Sequence, residues 1–414
     1  MPKTRPNPAL PAPVPSWPVV AWVDPDGAAL TAAQIARIEA EQLWQPVSVQ
    51  EPSSPSGAPD LATLPPIRWV CPWRGDDLSP DEGLEALSFL AAAARLNDRP
   101  AHLIGMSRWK RRCVAPFVTG PHGPPTHGPS LSNMPSGARA IYWGDHTSIA
   151  DKPADALGVE DGFIRAVCLG LRHTPPVSLT FGTGAQYFDA TQRNGFEDAV
   201  AAADAAAAFT PDLLARAERL RARITGAGLS KYNLSGPTND LPPKSLGREA
   251  VLVVGQVETD ASIRLGGAAI KRNIDLLRAA RSAFPDAVIA YKPHPDVLTG
   301  LRSGGDKTCA GDSAETFADH IIEHAPAPAC IDWADRVMTI TSLMGFEALL
   351  RGKNVTTVGR PFYAGWGLTD DQVPIVRDRA LSPDGLVAAA RFLYPRHVDN
   401  GPGRPAPPAL VVGG

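Results

Sequence analysis

Between Ala250 and Val358 the chain alternates short apolar runs with helical patterns. Ala250–Val254, Ala287–Ala290, Arg336–Ile340 and Asn354–Val358 read as strands. Asn273–Phe284, Ala314–His324 and Leu343–Arg351 read as the helices between them. Strands that alternate with helices imply a parallel sheet with helices on its faces. Ligands of such sheets bind outside the carboxyl ends of the strands. The residues at those ends therefore carry the functional reading.

The first strand runs into Gly255-Gln256-Val257-Glu258-Thr259-Asp260 and the second into Tyr291-Lys292-Pro293-His294-Pro295-Asp296. The third ends in Thr341-Ser342, a helix-capping pair, and the fourth in Gly359-Arg360-Pro361-Phe362-Tyr363-Ala364-Gly365-Trp366-Gly367. One rim thus gathers a carboxylate, an imidazole, an ammonium, a hydroxyl at a helix start and an aromatic loop. Two prolines fix φ around His294 and oppose a helix there. Alone, that stretch reads equally well as a stiff surface turn. A helix start offers free N–H groups to a phosphate, and an aromatic loop suits a nucleobase or sugar face. The combination predicts a nucleotide-type ligand. No GxGxxG follows the first strand and no GxxxxGK[ST] occurs, which disfavours dinucleotide dehydrogenases and P-loop enzymes.

The 414 residues, 44% hydrophobic and 20% charged, suffice for two domains with real cores. A net charge of -3 gives no global field for nucleic acid, so none is expected as a partner and any anion site must be local. Cys71, Cys113, Cys168, Cys309 and Cys330 form no CxxC pair, so neither a zinc ribbon nor a disulfide framework is indicated, which suits a reducing cytoplasm. No apolar run reaches membrane length, and prolines from Pro2 onward break any signal-peptide pattern.

Residues 1–65 read as a proline-rich arm holding a short strand (Val19–Val23) and a helix (Ala32–Gln42). Asp24-Pro25-Asp26-Gly27 formally matches the DxD of metal-dependent sugar transferases but reads more simply as a turn. Residues 66–245 read as a first α/β domain. Its expected strands are Ile67–Val70, His102–Gly105 and Ala140–Gly144, and Gly83–Leu96 is an expected helix. Met106–Arg112 reads as a basic turn, either solvated or facing an anionic or sugar acceptor, and Pro116–Pro135 as a flexible loop. Val177–Phe181 and Ala185–Asp189 around Gly182-Thr183-Gly184 predict a hairpin, followed by helices over Phe196–Phe209 and Pro211–Ile224. Glu160-Asp161-Gly162, with Arg165 close behind, concentrates ionisable groups. It serves either general acid–base chemistry or a capping turn. Residues 246–395 form the nucleotide-binding domain and 396–414 a tail. The architecture expected is two Rossmann-like α/β domains facing a central cleft, the first supplying Glu160 or Asp161 and the second the donor site.

Several segments together resemble the KpsC-type bacterial capsular-polysaccharide β-Kdo transferases (Kdo is an eight-carbon keto-sugar acid). These are Ser107-Arg108-Trp109-Lys110-Arg111, Glu160-Asp161-Gly162-Phe163-Ile164-Arg165, Tyr187-Phe188-Asp189-Ala190-Thr191, Ser230-Lys231-Tyr232-Asn233, Gln256-Val257-Glu258-Thr259-Asp260 and Lys292-Pro293-His294-Pro295-Asp296-Val297. The long runs Thr341–Lys353 and Gly359–Asp371 complete the pattern. The resemblance implies a GT-B-like fold and CMP-β-Kdo as donor, transferred with retention of configuration. It implies Asp260 as the nucleophile that forms a glycosyl-enzyme adduct, with Glu160 as acid/base and Asp161 as second choice. His294 and Pro295 would hold the CMP phosphate, and Ser342 and Glu347 would contact phosphate and cytidine or ribose. Lys292, Lys231 and Arg165 are further candidates for the donor's anions, with Gln256 in the same donor set. The donor is a substrate, and no cofactor or metal is demanded. The implied acceptor is a lipid-anchored, Kdo-containing glycan at the cytoplasmic face of the inner membrane, beside capsule assembly and export machinery. Familiar members carry two transferase modules, and this chain has room for one. A transferase for another CMP-linked sugar acid, or a non-catalytic polysaccharide-binding module, are the alternatives.

Overall fold

A computed structural model describes residues 21–41, 67–144, 151–163, 175–231, 236–244, 247–298, 313–399 and 403–411. They form two compact units. One takes the chain up to Ile141 with the stretch from His397 onward, and the other is Tyr142–Arg396.

In the first unit β1 (Ala21–Ala28) pairs antiparallel with β2 (Ile67–Val70), and β2 with β3 (Asp77–Leu78). The turn expected at Asp24–Gly27 lies inside β1. Val23 and Ala28 both pair with Ile67, so the intervening residues bulge from the ladder. Beside this sheet lie α1 (Ala32–Ala40) and α2 (Pro80–Leu96). α2 starts earlier than the apolar spacing indicates, because Ser79 and Glu82 close a capping box. Ile38, Trp69, Leu84 and Leu90 are buried between them.

Further on, β4 (Ala101–Ile104) runs parallel to both β5 (Thr126–Gly128) and β6 (Arg139–Trp143). The segment read as a basic turn is the start of a helix, α3 (Arg108–Val118). Ser107 caps it, its hydroxyl accepting from Lys110 N at 3.3 Å. The expected loop 116–135 accordingly begins in that helix and contributes β5 to the sheet.

The second unit opens with β7 (Leu157–Asp161), antiparallel to β8 (Ser178–Gly182), with Glu160 opposite Thr180 and Asp161 opposite Leu179. The expected hairpin does not form. β8 takes β7 as partner, and Ala185–Asp189 leaves the sheet through a turn in which Asp189 N donates to Gln186 O at 2.9 Å. The Asp189 carboxylate then accepts from the amide and hydroxyl of Thr191, an Asx turn that consumes the run. α4 (Gly195–Ala205) and α5 (Pro211–Gly226) follow, capped by Asn194 and Thr210.

The rest of this unit is the alternating half. In order come β9 (Ala250–Val254), α6 (Ala261–Arg264), α7 (Asn273–Ala283), β10 (Val288–Lys292) and α8 (Pro295–Leu298). Next are β11 (His320–Ile321), α9 (Ala327–Trp333), β12 (Arg336–Thr339), α10 (Leu343–Leu350) and β13 (Asn354–Thr357). β14 (Asp370–Asp371), α11 (Pro383–Ala388), a π-helical turn at Ala389–Leu393 and β15 (Pro395–His397) close the series. β9 to β14 form one parallel sheet in the order β11-β10-β9-β12-β13-β14.

Two expectations are corrected here. Ala314–His324 is not a helix, because its backbone is drawn onto β10. Asp319 N donates to Ile289 O and Ile322 N to Tyr291 O, both at 2.8 Å, and the Asp319 carboxylate accepts from Ile289 N and Arg281. The loop after Lys292 does contain a helical turn, since proline is compatible with the first helical position that Pro295 occupies.

Candidate active site

Because the sheet is parallel, β9, β10, β12 and β13 deliver their carboxyl ends to one rim. Gln256 braces that rim. Its Oε1 accepts from Thr341 N at 2.8 Å and its Nε2 donates to Thr341 Oγ1 at 3.0 Å, joining the ends of β9 and β12. Asn273 at the head of α7 holds the Gln256 backbone from both sides, at 2.9 Å each, while its own N–H donates to Glu258 Oε1 at 2.7 Å. The Gln256 amide is thus committed to the protein.

Asp260 caps α6, its Oδ1 accepting from the amide and hydroxyl of Ser262 at 2.9 and 3.0 Å. This short helix spans the rim. Thr341 Oγ1 donates to Ser262 O at 3.2 Å, Ala190 N to Leu265 O at 2.9 Å, and Arg360 N to Gly266 O at 2.8 Å. Asp260 is half-buried at the head of a turn pinned from three directions.

Ser342 caps α10, accepting from Met344 N at 3.3 Å, and its carbonyl accepts from the Tyr363 hydroxyl at 2.6 Å. Gly345 is required here, because a Cβ would stand 2.2 Å from that hydroxyl. One turn further along α10, Glu347 is buried and its Oε1 accepts from Lys231 N at 2.7 Å. Burial pushes its carboxyl up, opposed by the Lys231 amide and by Arg351 and Arg391. Arg391 is itself buried, with its guanidinium over the rings of Phe346 (5.3 Å) and Phe163 (5.9 Å) and its pKa pushed down by burial to about 9.

His294 Nδ1 accepts from Asp296 N at 3.1 Å. That bond places the neutral ring's proton on Nε2, which becomes a donor. Lys292 turns elsewhere: its Nζ donates to Glu323 O at 3.1 Å. Burial lowers its pKa despite the nearby Cys330, Asp240 and Glu323, and burial pushes the Cys330 thiol up to about 11.

Glu160 and Asp161 end β7, half-buried, with Glu160 Oε1 accepting from Asp161 N at 2.9 Å. What ties them to the alternating half is aromatic. Phe163, fully buried, stacks on Phe362 at 4.4 Å and meets Tyr187 at 4.9 Å and Phe346 at 5.9 Å. Gly162 lets β7 and β8 close up, since a Cβ there would lie 2.0 Å from Ser178 Oγ. Arg165 lies outside the described residues.

Residues 241–398 match the family model described as a capsule polysaccharide biosynthesis protein. Over 340 residues the chain is 38% identical to the capsule polysaccharide modification protein LipA of Neisseria meningitidis serogroup A, covering 78% of this chain and 47% of that one. It is 43% identical over 244 residues to the lipopolysaccharide-processing protein LpsZ of Rhizobium meliloti, covering 58% and 53%. Two solved structures of Thermosulfurimonas dismutans KpsC share 31% identity with it. The β-Kdo 2,7 transferase superposes with a TM-score of 0.61 over 76% of this chain and 97% of that chain. The β-Kdo 2,4 transferase gives 0.64 over 75% and 96%. The chain belongs to the KpsC-type β-Kdo transferase family.

As a KpsC-type chain it has the expected fold class, α/β and GT-B-like with Rossmann-like domains. It spans about half the length of the curated relatives it matches. The family segments meet in space as well as in sequence: Ala190 of the Tyr187–Thr191 motif bonds to the turn that Asp260 heads. Phe163 of the Glu-Asp-Gly motif packs on Phe362 of the Gly359–Asp371 run. Sequence reading placed Thr341 and Tyr363 at the rim without their hydrogen-bond partners, and missed Asn273 and Arg391, whose partners are distant in the chain. Among the described residues, no group of His, Cys, Asp and Glu gathers as a metal would need, and no helix is long and apolar enough to cross a membrane.

Proposed function

We propose that this chain is a retaining glycosyltransferase that moves Kdo from CMP-β-Kdo to a glycan acceptor in capsule or surface polysaccharide synthesis. The observation that carries the reading is α6, which holds the Asp260 carboxylate at a parallel-sheet rim beside the Ser342-capped start of α10. In the first step an Asp260 oxygen bonds to the anomeric carbon as the bond from that carbon to the CMP phosphate oxygen breaks. The His294 Nε2–H and the N–H groups at the start of α10 receive the charge that gathers on the departing phosphate. In the second step Glu160, or Asp161 beside it, takes the proton of an acceptor hydroxyl. That oxygen then displaces Asp260 from the anomeric carbon. Two displacements restore the starting configuration, and two carboxylates are what such a route requires.

Pro295 shapes the turn behind His294, and Glu347, fixed by the Lys231 amide, contacts ribose or cytidine. Gln256 and Lys292 serve by holding the strand ends in place, and Arg165 is placed with the donor's anions by its motif. The acceptor is a lipid-anchored glycan that already carries Kdo. The protein works at the cytoplasmic membrane surface, with the capsule assembly and export machinery as its surroundings.

The test offers purified protein CMP-Kdo generated in situ, CMP-sialic acid and a UDP-sugar, and follows CMP release and the intact mass of the protein. The expected result is CMP release from CMP-Kdo with a Kdo-sized adduct that disappears in Asp260→Ala. Release from CMP-sialic acid alone replaces the sugar. Release from none, without CMP binding, would overturn the enzymatic reading in favour of a polysaccharide-binding module.

A further inference from the structure

Arg360 closes β13 and has no role in the chemistry above. It is half-buried, its Nε is buried and donates to nothing, and among the described residues no carboxylate comes within ion-pairing distance. Several other arginines of this unit are paired, among them Arg281 with Asp319, Arg336 with Glu249, Arg351 with Asp332 and Arg377 with Glu197, whereas Arg391, whose Nε and Nη1 also lack acceptors among the described residues, lies over the rings of Phe346 and Phe163. A partly desolvated guanidinium without an acceptor is costly and calls for an explanation.

Its position is closely built. Arg360 N donates to Gly266 O at 2.8 Å. Gly267, at φ +66°, leaves room for the side-chain stem, since a Cβ there would lie 2.9 Å from Arg360 Cδ. Gly359 lets the chain pass close to β12, where a Cβ would stand 2.8 Å from Ile340 O. Three segments converge on this point. The turn headed by Asp260 ends against Arg360, and Ala190 of the Tyr187–Thr191 motif bonds to Leu265 in the same turn. Phe362, two residues past Arg360, stacks on Phe163, two residues past Asp161.

We propose that the Arg360 guanidinium binds the carboxylate of the sugar acid being transferred. The assignment rests on the reading of the donor as a CMP-linked sugar acid. Such a donor carries two anions. The phosphate is met by His294 and the start of α10. The carboxylate sits on the anomeric carbon itself, beside the bond that Asp260 attacks, and so needs a cation near α6. A planar guanidinium meets a carboxylate through two parallel N–H donors, which a lysine ammonium cannot reproduce. Arg360 would thereby select sugar acids over neutral sugars.

The experiment compares wild type, Arg360→Met and Arg360→Lys for CMP affinity by calorimetry and for KM and kcat with CMP-Kdo generated in situ. CMP lacks the carboxylate, so it reports on folding and on the nucleotide site alone. In Arg360→Met the donor KM is expected to rise about ten- to a hundredfold, the loss of a charge-assisted pair, with CMP affinity within about twofold of wild type. Arg360→Lys should recover part of the loss. An unchanged donor KM in Arg360→Met, or CMP affinity falling as far as donor affinity, overturns the assignment while leaving the donor reading in place. Wild type that binds CMP but uses neither CMP-Kdo nor CMP-sialic acid overturns the donor reading and the assignment with it.

Discussion

A carboxylate as deeply buried as Glu347 is held at a cost, and the cost depends on pH. Burial raises its folded-state pKa above the ordinary value of 4.5, against the pull of the Lys231 amide, Arg351 and Arg391. Folding therefore favours the protonated form. Relative to Glu347→Gln, wild type is most stable below the ordinary pKa, loses stability as pH climbs through the raised value, and is level above it. Urea titrations of both proteins from about pH 4 to 8 read the gap directly. A gap that widens in favour of wild type as pH rises would mean that the surrounding cations outweigh burial. The sequence singled out Glu347 by family pattern but gave no hint of its burial, because the amide that holds it belongs to Lys231, 116 positions away. Lys292 was misleading for the same reason. A lysine at a strand end looks available to a phosphate, whereas its ammonium reaches the carbonyl of Glu323 in a connection whose course is set by tertiary contacts.

Elements written in local chemistry were legible. The apolar runs of β9, β10, β12 and β13, the Thr210-Pro211 start of α5 and the Ser342 start of α10 all depend on neighbours within a turn or on strand-like burial. β11, the Asx turn after Gln186 and the helical start at Arg108 were not, since sheet partners and caps outcompeted the local pattern. The least legible feature is the one that assembles the site: the rings of Phe163, Tyr187, Phe346 and Phe362, drawn from four separate segments. Removing Phe362 should open a cavity at their centre and cost about 3–5 kcal/mol in denaturant unfolding. Phe163→Ala should cost a similar amount. The double variant should lose clearly less than the sum, because each single change already breaks the 4.4 Å stack. Strict additivity would show that the rings pack independently and that β7 is held to the rim by other means.

For the molecule as a whole, charge and topology act at different ranges. A net charge of -3 attracts no anionic donor from a distance, so the binding field must come from groups at the rim. On the proposed reading those are the N–H donors of α10, the imidazole of His294 and the guanidinium of Arg360, which follow the ends of strands in one parallel sheet. Charges that meet a ligand at contact distance in a partly desolvated site are screened little by salt, whereas steering by a global field collapses within a Debye length of about 8–10 Å. Raising NaCl from about 0.05 to 0.5 M should therefore weaken CMP binding by less than about threefold and leave the association rate nearly constant. Calorimetry gives the first quantity and stopped-flow the second. A tenfold fall in association rate would show that a long-range positive field guides the nucleotide.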